Sequence, residues 1–283
     1  MAHTPPSIPT LTLRTGAPIP QLGFGTYKVT EHVVEVVSSA LSLGYRHIDT
    51  AQMYHNEAEV GEAWSTSGIA REDLFLTSKL DNPNHEPSRA RESFARTLDG
   101  LRTDHVDLFL IHWPLPMHYG GDFVSTWKVL EEFLADGRAL AIGVSNFEPH
   151  HIEALLEAGC STPMVNQVES HPYTANRAVH DFDAEHGILT EAWSPLARGR
   201  ATSDPVLASI GASHGVSAAQ VALRWALQRG DVVFPKSLTP ARQAQNLQLF
   251  DFELSEEEVA RVDGLEEGEK GRTGTHPDLM DRI

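Results

Sequence analysis

Four side chains of complementary chemistry fall at or just after the ends of apolar segments. Asp49 closes the segment 45–49, and Tyr54 follows in the loop behind it. Lys79 closes the segment 74–79, and His112 closes 106–112. A free phenol has a pKa of about 10, too high for an efficient acid near neutrality. An ammonium at hydrogen-bond distance favours the phenolate and lowers that value. A carboxylate keeps a buried ammonium charged and aimed. An imidazole can hydrogen-bond a carbonyl oxygen as negative charge develops on it. Asp49, Tyr54, Lys79 and His112 thus suit protonation of an alkoxide, with Tyr54 as the acid and its pKa drawn down by Lys79. Each has a plainer reading alone: Asp49 a helix cap, Lys79 a solvated cation, His112 a structural histidine. The case rests on all four reaching one rim. The chain has no G-x-S-x-G nucleophile motif. No paired histidines stand at the strand ends as metal ligands, so no metal is expected.

A rim implies a sheet whose strands end together. β-rich apolar segments recur at 22–26, 45–49, 74–79, 106–112, 139–144, 164–168, 188–193 and 232–236. Amphipathic stretches of helical period separate them, such as Val33-Val34, Val36-Val37 and Ala40-Leu41. Strands alternating with helices pair in parallel through right-handed crossovers. About eight units without a break in composition predict one (β/α)8 TIM barrel over residues 1–283, an α/β fold with its site at the C-terminal edge of the strands. An open doubly wound sheet is the alternative, but Gly23-Phe24-Gly25 lacks the third glycine of a dinucleotide fingerprint. Alternation puts Val106, Leu108, Leu110 and His112 on one face, Phe75, Thr77 and Lys79 on another, and His47 with Asp49 on a third.

At the front, Leu11-Thr12-Leu13 and Pro18-Ile19-Pro20 flank a turn and read as a hairpin plugging one barrel end. Ser255-Glu256-Glu257-Glu258 is a capping box opening a late helix. The tail 266–283 is Gly-rich, charged and without period. It is either a disordered end or a loop folded over the barrel mouth.

The formal net charge is -17, which argues against polyanionic partners such as nucleic acid or an acidic membrane. Cys160 is the only cysteine, which fits a reducing, cytoplasmic setting. Residues 1–6 lack the basic start and apolar core of a leader, and no apolar run has transmembrane length. An anionic cofactor would need a local basic patch, and the candidates lie near the C-terminus.

Residues 49–57 (DTAQMYHNE), 110–114 (LIHWP), 142–147 (IGVSNF) and 235–237 (PKS) together resemble the aldo-keto reductase family, in order and over nearly the whole chain. Within it the chain is similar to the bacterial branch typified by 2,5-diketo-gluconate reductase. The resemblance implies an NADPH-dependent carbonyl reductase with Asp49, Tyr54, Lys79 and His112 as its tetrad. It implies that Ser145, Asn146 and Gln167 hydrogen-bond the nicotinamide carboxamide and that Trp193 stacks on the ring. Thr26, Ser194 and Leu196 fall in the same cofactor set. Lys236, Ser237, Arg242, Gln245 and Asn246 match the site for the 2′-phosphate and adenine, with Gln245 where the family often has Glu. Tyr27, Met53, Asp81 and Trp113 are expected to line the substrate pocket. Asp81 stands where an aromatic is common, and its charge would disfavour keto acids against neutral carbonyls. The partner is then a small carbonyl compound and the protein a monomer. The alternative is an NADPH-binding barrel with a regulatory role, which would have no need of Lys79.

Overall fold

The computed structural model describes residues 8–283. Residues 1–6, on which the expectation of no leader rests, lie outside that range. A small antiparallel hairpin pairs β1 (Thr10–Thr12) with β2 (Pro18–Pro20). The parallel strands follow as β3 (Phe24–Gly25), β4 (His47–Asp49), β5 (Phe75–Leu80), β6 (Leu108–Ile111), β7 (Ile142–Ser145), β8 (Val165–Glu169), β9 (Leu189–Trp193) and β10 (Val232–Val233). They pair in sequence order, each parallel to the next. A bridge between Leu22 and Val233 joins the first strand to the last. Two backbone bonds seal it, Gly23 N–H to Val233 O (2.9 Å) and Val233 N–H to Gln21 O (3.0 Å). The barrel is therefore closed, as the alternating pattern predicts.

Helices fill the crossovers: α1 (Val33–Leu43), α2 (Glu57–Ser65), α3 (Pro87–Leu101), α4 (Val124–Ala135), α5 (Pro149–Glu157) and α6 (Arg177–Glu185). Between β9 and β10 come α7 (Pro205–His214) and α8 (Ala218–Gln228), and after β10 come α9 (Pro240–Leu247) and α10 (Glu256–Asp263). The Ser255 hydroxyl accepts the Glu258 N–H at 3.2 Å, closing the capping box that opens α10. Among the described residues no single helix is long and apolar enough to cross a membrane.

Strand alternation divides the apolar residues between two cores. Phe109, Ile111, Leu76 and Leu80 point outward and pack under the helices. Phe75, Leu108, Leu110, Val165 and Phe234 point inward, and Leu13 and Ile19 of the hairpin complete that inner cluster. The hairpin is a hydrophobic plug. Gly23 has a steric role here: a Cβ on it would lie 2.7 Å from the Phe234 ring. The Gly-x-Gly segment clears space for a barrel-filling aromatic, since a Cβ on Gly25 would also meet Phe234. β3 and β10 are shorter than the segments 22–26 and 232–236 suggest, because this seam closes through a single bridge, Leu22 with Val233.

Candidate active site

Lys79 is wholly buried at the C-terminal end of β5, inside the barrel. Its Nζ lies 2.8 and 2.7 Å from the two Asp49 carboxylate oxygens and also donates to Thr50 O at 2.9 Å. The remaining direction faces Tyr54, whose Oη is 3.5 Å away. His112 completes the group, its ring edge-on to Tyr54 with centroids 5.8 Å apart. The four residues gather at one rim, the carboxyl end of the strands, where barrel enzymes keep their sites. Asn56 fixes the loop that carries Tyr54. Its amide donates to Thr26 O and Val29 O, and its oxygen accepts the Thr50 hydroxyl at 2.8 Å.

The electrostatics differ from expectation at one point. Burial pushes the Tyr54 phenol up to about 12, and the opposing pull of Lys79 does not reverse it. Burial outweighs Lys79, and the Asp49 carboxylate adds to the rise by opposing the ammonium's pull. The phenol is thus firmly protonated, as an acid must be before it donates. Burial also works against the Lys79 charge, but Asp49 and then Tyr54 outweigh it and hold the ammonium above its ordinary value. His112 is driven well below its usual range by burial, with Lys79 and His85 adding to the effect. It is a neutral imidazole, able to donate one N–H, and its Nδ1 has no partner among the described residues.

The residues expected around a nicotinamide sit beside this group. After β7 the chain enters the left-handed region at Asn146 (φ 62°), and after β9 it does so at Ser194 (φ 51°). The Trp193 indole donates to Asn146 Oδ1 at 2.8 Å, and the Asn146 amide donates to His112 O and to the Ser145 hydroxyl. Ser145 in turn donates to Gln167 O at 2.8 Å. Gln167 gives its amide hydrogens to two carboxyl groups, Asp49 (2.9 Å) and Glu191 (2.7 Å), which leaves its carbonyl oxygen for a ligand. The Thr26 hydroxyl donates to the backbone oxygen of Asp49 at 3.0 Å, so it braces β3 against β4. Leu196 is partly buried in the loop after Ser194.

A second group lies where β10 gives way to α9. Lys236, Arg242 and Gln245 are exposed, while Ser237 and Asn246 are buried. Neither Lys236 nor Arg242 meets a carboxylate among the described residues, although acids exceed bases 39 to 22. Pro240 opens α9 at its first turn, with Arg242 beside it. Unpaired cations beside helix-start N–H groups fit a phosphate.

Of the expected pocket residues, Tyr27 packs on Tyr54 with ring centroids 5.1 Å apart, and Met53 is half-buried in the same loop. Trp113 forms an apolar wall with Leu115 and Met280, backed by Tyr119 and Trp193. Asp81 is half-buried and turns its carboxylate to the Asn82 N–H at 2.8 Å, capping a short 3-10 turn.

Of the two readings of the tail, the folded-back loop is the one found. Buried Glu169, at the end of β8, accepts Thr273 N–H (2.7 Å), the Thr273 hydroxyl (2.5 Å), Gly274 N–H (3.0 Å) and His171 Nε2 (3.0 Å). Further along, Asp278 Oδ1 lies 3.1 Å from His150 Nε2 and 3.2 Å from His151 Nε2. His151 Nδ1 accepts the Glu148 N–H, so its proton sits on Nε2 and points at Asp278. That tautomer makes the cluster a hydrogen-bonded latch. Asn82 then donates to Arg282 O at 2.7 Å, across the mouth.

Sequence reasoning missed Asn56, Glu169, Glu191, Leu115, Tyr119 and Met280. Glu169 and Glu191 were within reach, since each lies two residues from an expected ligand-binding residue on its strand. Met280 had no signal, because its place depends on the tail's path.

A profile of the aldo/keto reductase family matches residues 21–267. Glyoxal reductase of Bacillus subtilis is 43% identical over 274 residues, covering 96% of this chain and 97% of the relative. Among solved structures, a Gox0644 mutant in complex with NADPH has a TM-score of 0.93 at 37% identity, covering 98% of this chain and 100% of that one. A putative 2,5-diketo-D-gluconic acid reductase B has a TM-score of 0.86 at 41% identity, covering 92% of each chain. With a closed barrel, a buried lysine–carboxylate pair at its rim and a family match over most of its length, the chain belongs to the aldo/keto reductase family.

Proposed function

We propose that the protein reduces small neutral aldehydes and ketones, dicarbonyls among them, with NADPH. The observation that carries this reading is the placement of the Lys79 ammonium between the Asp49 carboxylate and the Tyr54 hydroxyl. When bound, the dihydronicotinamide supplies the hydride. Tyr54 Oη gives its proton to the substrate oxygen. A phenol near pKa 12 retains that proton at neutral pH and still yields it to an alkoxide, a far stronger base. Lys79 stabilises the resulting phenolate, and Asp49 holds Lys79 charged. Neutral His112 donates to the same oxygen and so orients the carbonyl.

In this reading Gln167, Asn146 and Ser145 hold the carboxamide, Trp193 stacks on the ring, and Thr26, Ser194 and Leu196 shape the wall behind. Lys236 and Arg242, with Ser237, Asn246 and Gln245, take the 2′-phosphate and adenine. Tyr27, Met53, Asp81 and Trp113 border the substrate, with Leu115, Tyr119 and Met280 adding an apolar wall. The dicarbonyl class is supported by similarity to glyoxal reductase. A single barrel unit acting as a monomer is the simplest assembly, because one chain supplies every group. The single cysteine favours a cytoplasmic setting.

The test is a carbonyl panel with NADPH consumption followed in the wild type and in Tyr54→Phe. The variant should lose activity roughly a hundredfold or more while keeping its NADPH affinity. Undiminished turnover by Tyr54→Phe would end the reading.

A further inference from the structure

Glu191 is wholly buried on β9, on the same inward face as Trp193. Its Oε2 accepts from Gln167 Nε2 at 2.7 Å, and its Oε1 has no partner among the described residues. A continuous chain of side chains results: Glu191, Gln167, Asp49, Lys79, Tyr54. Packing alone does not call for a carboxyl there. The inner cluster nearby is apolar, with Leu189, Val232 and Val165, and an aliphatic residue would fill the place without a desolvation cost.

What the carboxyl supplies is direction. A primary amide has two hydrogens on nitrogen and none on oxygen. Asp49 takes one of the Gln167 hydrogens and Glu191 takes the other. Turning the amide over would press its oxygen against the Asp49 carboxylate and against Glu191 Oε2, the oxygen that accepts here and so leaves the carboxyl proton to the unpartnered Oε1. With Glu191 absent, Asp49 alone holds one hydrogen and the amide can swing about it.

We propose that Glu191 is a positioning residue that locks the Gln167 amide, so that its carbonyl oxygen is the group offered to the carboxamide N–H of a nicotinamide. This rests on the assignment of Gln167 above. The charged groups facing Glu191 are Asp49 from β4 and Lys79 from β5, and β10 presents Val232. Lys79 is committed to Asp49, so Glu191 has no cation of its own. Burial and the Asp49 charge push its carboxyl up to about 8. Neutral at pH 7, it can be replaced by Gln, whose amide oxygen accepts the same Gln167 hydrogen.

The experiment compares binding of NADPH with binding of 2′-phospho-ADP-ribose, which lacks the nicotinamide, by quenching of tryptophan fluorescence. Glu191→Leu should weaken NADPH roughly tenfold, the cost of one hydrogen bond. It should leave 2′-phospho-ADP-ribose unchanged, and Glu191→Gln should restore NADPH affinity. Glu191→Thr, strand-forming and too short to reach Gln167, replaces the Leu variant if that one does not fold. Equal weakening of both ligands, unweakened NADPH binding, or failure of Gln to rescue overturns the proposal. Gln167→Ala separates the two ideas. If it is selective against NADPH and the Glu191 variants are not, only the role of Glu191 falls. If it is not selective either, the Gln167 assignment falls as well.

Discussion

Gly274 lies against the indole of Trp193: a Cβ on this glycine would come within 2.5 Å of Trp193 Cη2 and 3.1 Å of Glu169 Oε2. The tail therefore crosses the barrel mouth directly over the aromatic proposed to face the cofactor. Gly274 is not in the left-handed region, so the constraint is one of space. Gly274→Ala should lift the tail or turn the indole, at an overpacking cost of about 1–2 kcal/mol. Tryptophan fluorescence should change, and NADPH binding should weaken about tenfold at most. Unaltered fluorescence and affinity would mean that the tail and Trp193 are not mechanically linked.

Glu169 is the anchor of that tail, and its charge matters. Burial would raise its carboxyl, but hydrogen bonds from His171, Thr273 and Gly274 outweigh burial and hold it below the usual carboxylate value of 4.5. A depressed carboxyl stabilises above the unfolded pKa, and that stability is lost only as pH falls through the folded one. The tail should therefore stay docked below pH 4.5 and release only in stronger acid. In Glu169→Gln an NH2 group meets N–H donors, so the tail should be cleaved several times faster by protease at pH 7. Cleavage at the wild-type rate would remove Glu169 as the anchor.

The barrel was legible because its signals are local. Period-two strands alternate with helical periods, and Asp49, Lys79 and His112 close strands whose faces follow from counting. The resemblance added the cofactor residues. Three things were hidden for physical reasons. The Tyr54 phenol lies above its free value because its burial outweighs the pull of Lys79, which the Asp49 counterion also opposes, and the depth of burial is set only by the fold. Glu191 reads as one more acid in an acidic chain until Gln167 is seen shared between it and Asp49. The tail has no period, so nothing in it announced that Met280 would pack on Trp113 and Leu115.

Arg242 and Lys236 should decide between the two nicotinamide cofactors. Arg242 can bond a phosphate bidentately, whereas the 2′-hydroxyl of NADH offers no charge to pair. Arg242→Ala should weaken NADPH by roughly tenfold or more and leave NADH nearly unchanged. Wild-type NADPH binding should weaken with added salt, because both cations are exposed. Isothermal titration with both cofactors checks this. Equal losses for the two would place Arg242 on the pyrophosphate.

Asp183 offers a test of stability away from the rim. It lies on the buried face of α6, accepting from the Asn166 amide at 3.3 Å and the Thr190 hydroxyl at 3.2 Å, and burial pushes its carboxyl from 3.8 up to about 8. Below pH 3.8 the group is protonated in both folded and unfolded chains, so it contributes no pH dependence. Between 3.8 and 8 the unfolded chain releases the proton and the folded chain keeps it. The unfolded state then binds fewer protons, so stability falls as pH rises, and the fall is complete above 8. Asn at this position keeps the shape, accepts from Asn166 and donates to Thr190, and has nothing to titrate. Asp183→Asn should match the wild type at pH 3.5 and gain steadily above it, by about 1.4 kcal/mol per pH unit at the steepest, levelling off near pH 8. Urea unfolding at several pH values measures the gain. A variant that is destabilised by the same amount at every pH would show that Asp183 is ionised in the fold.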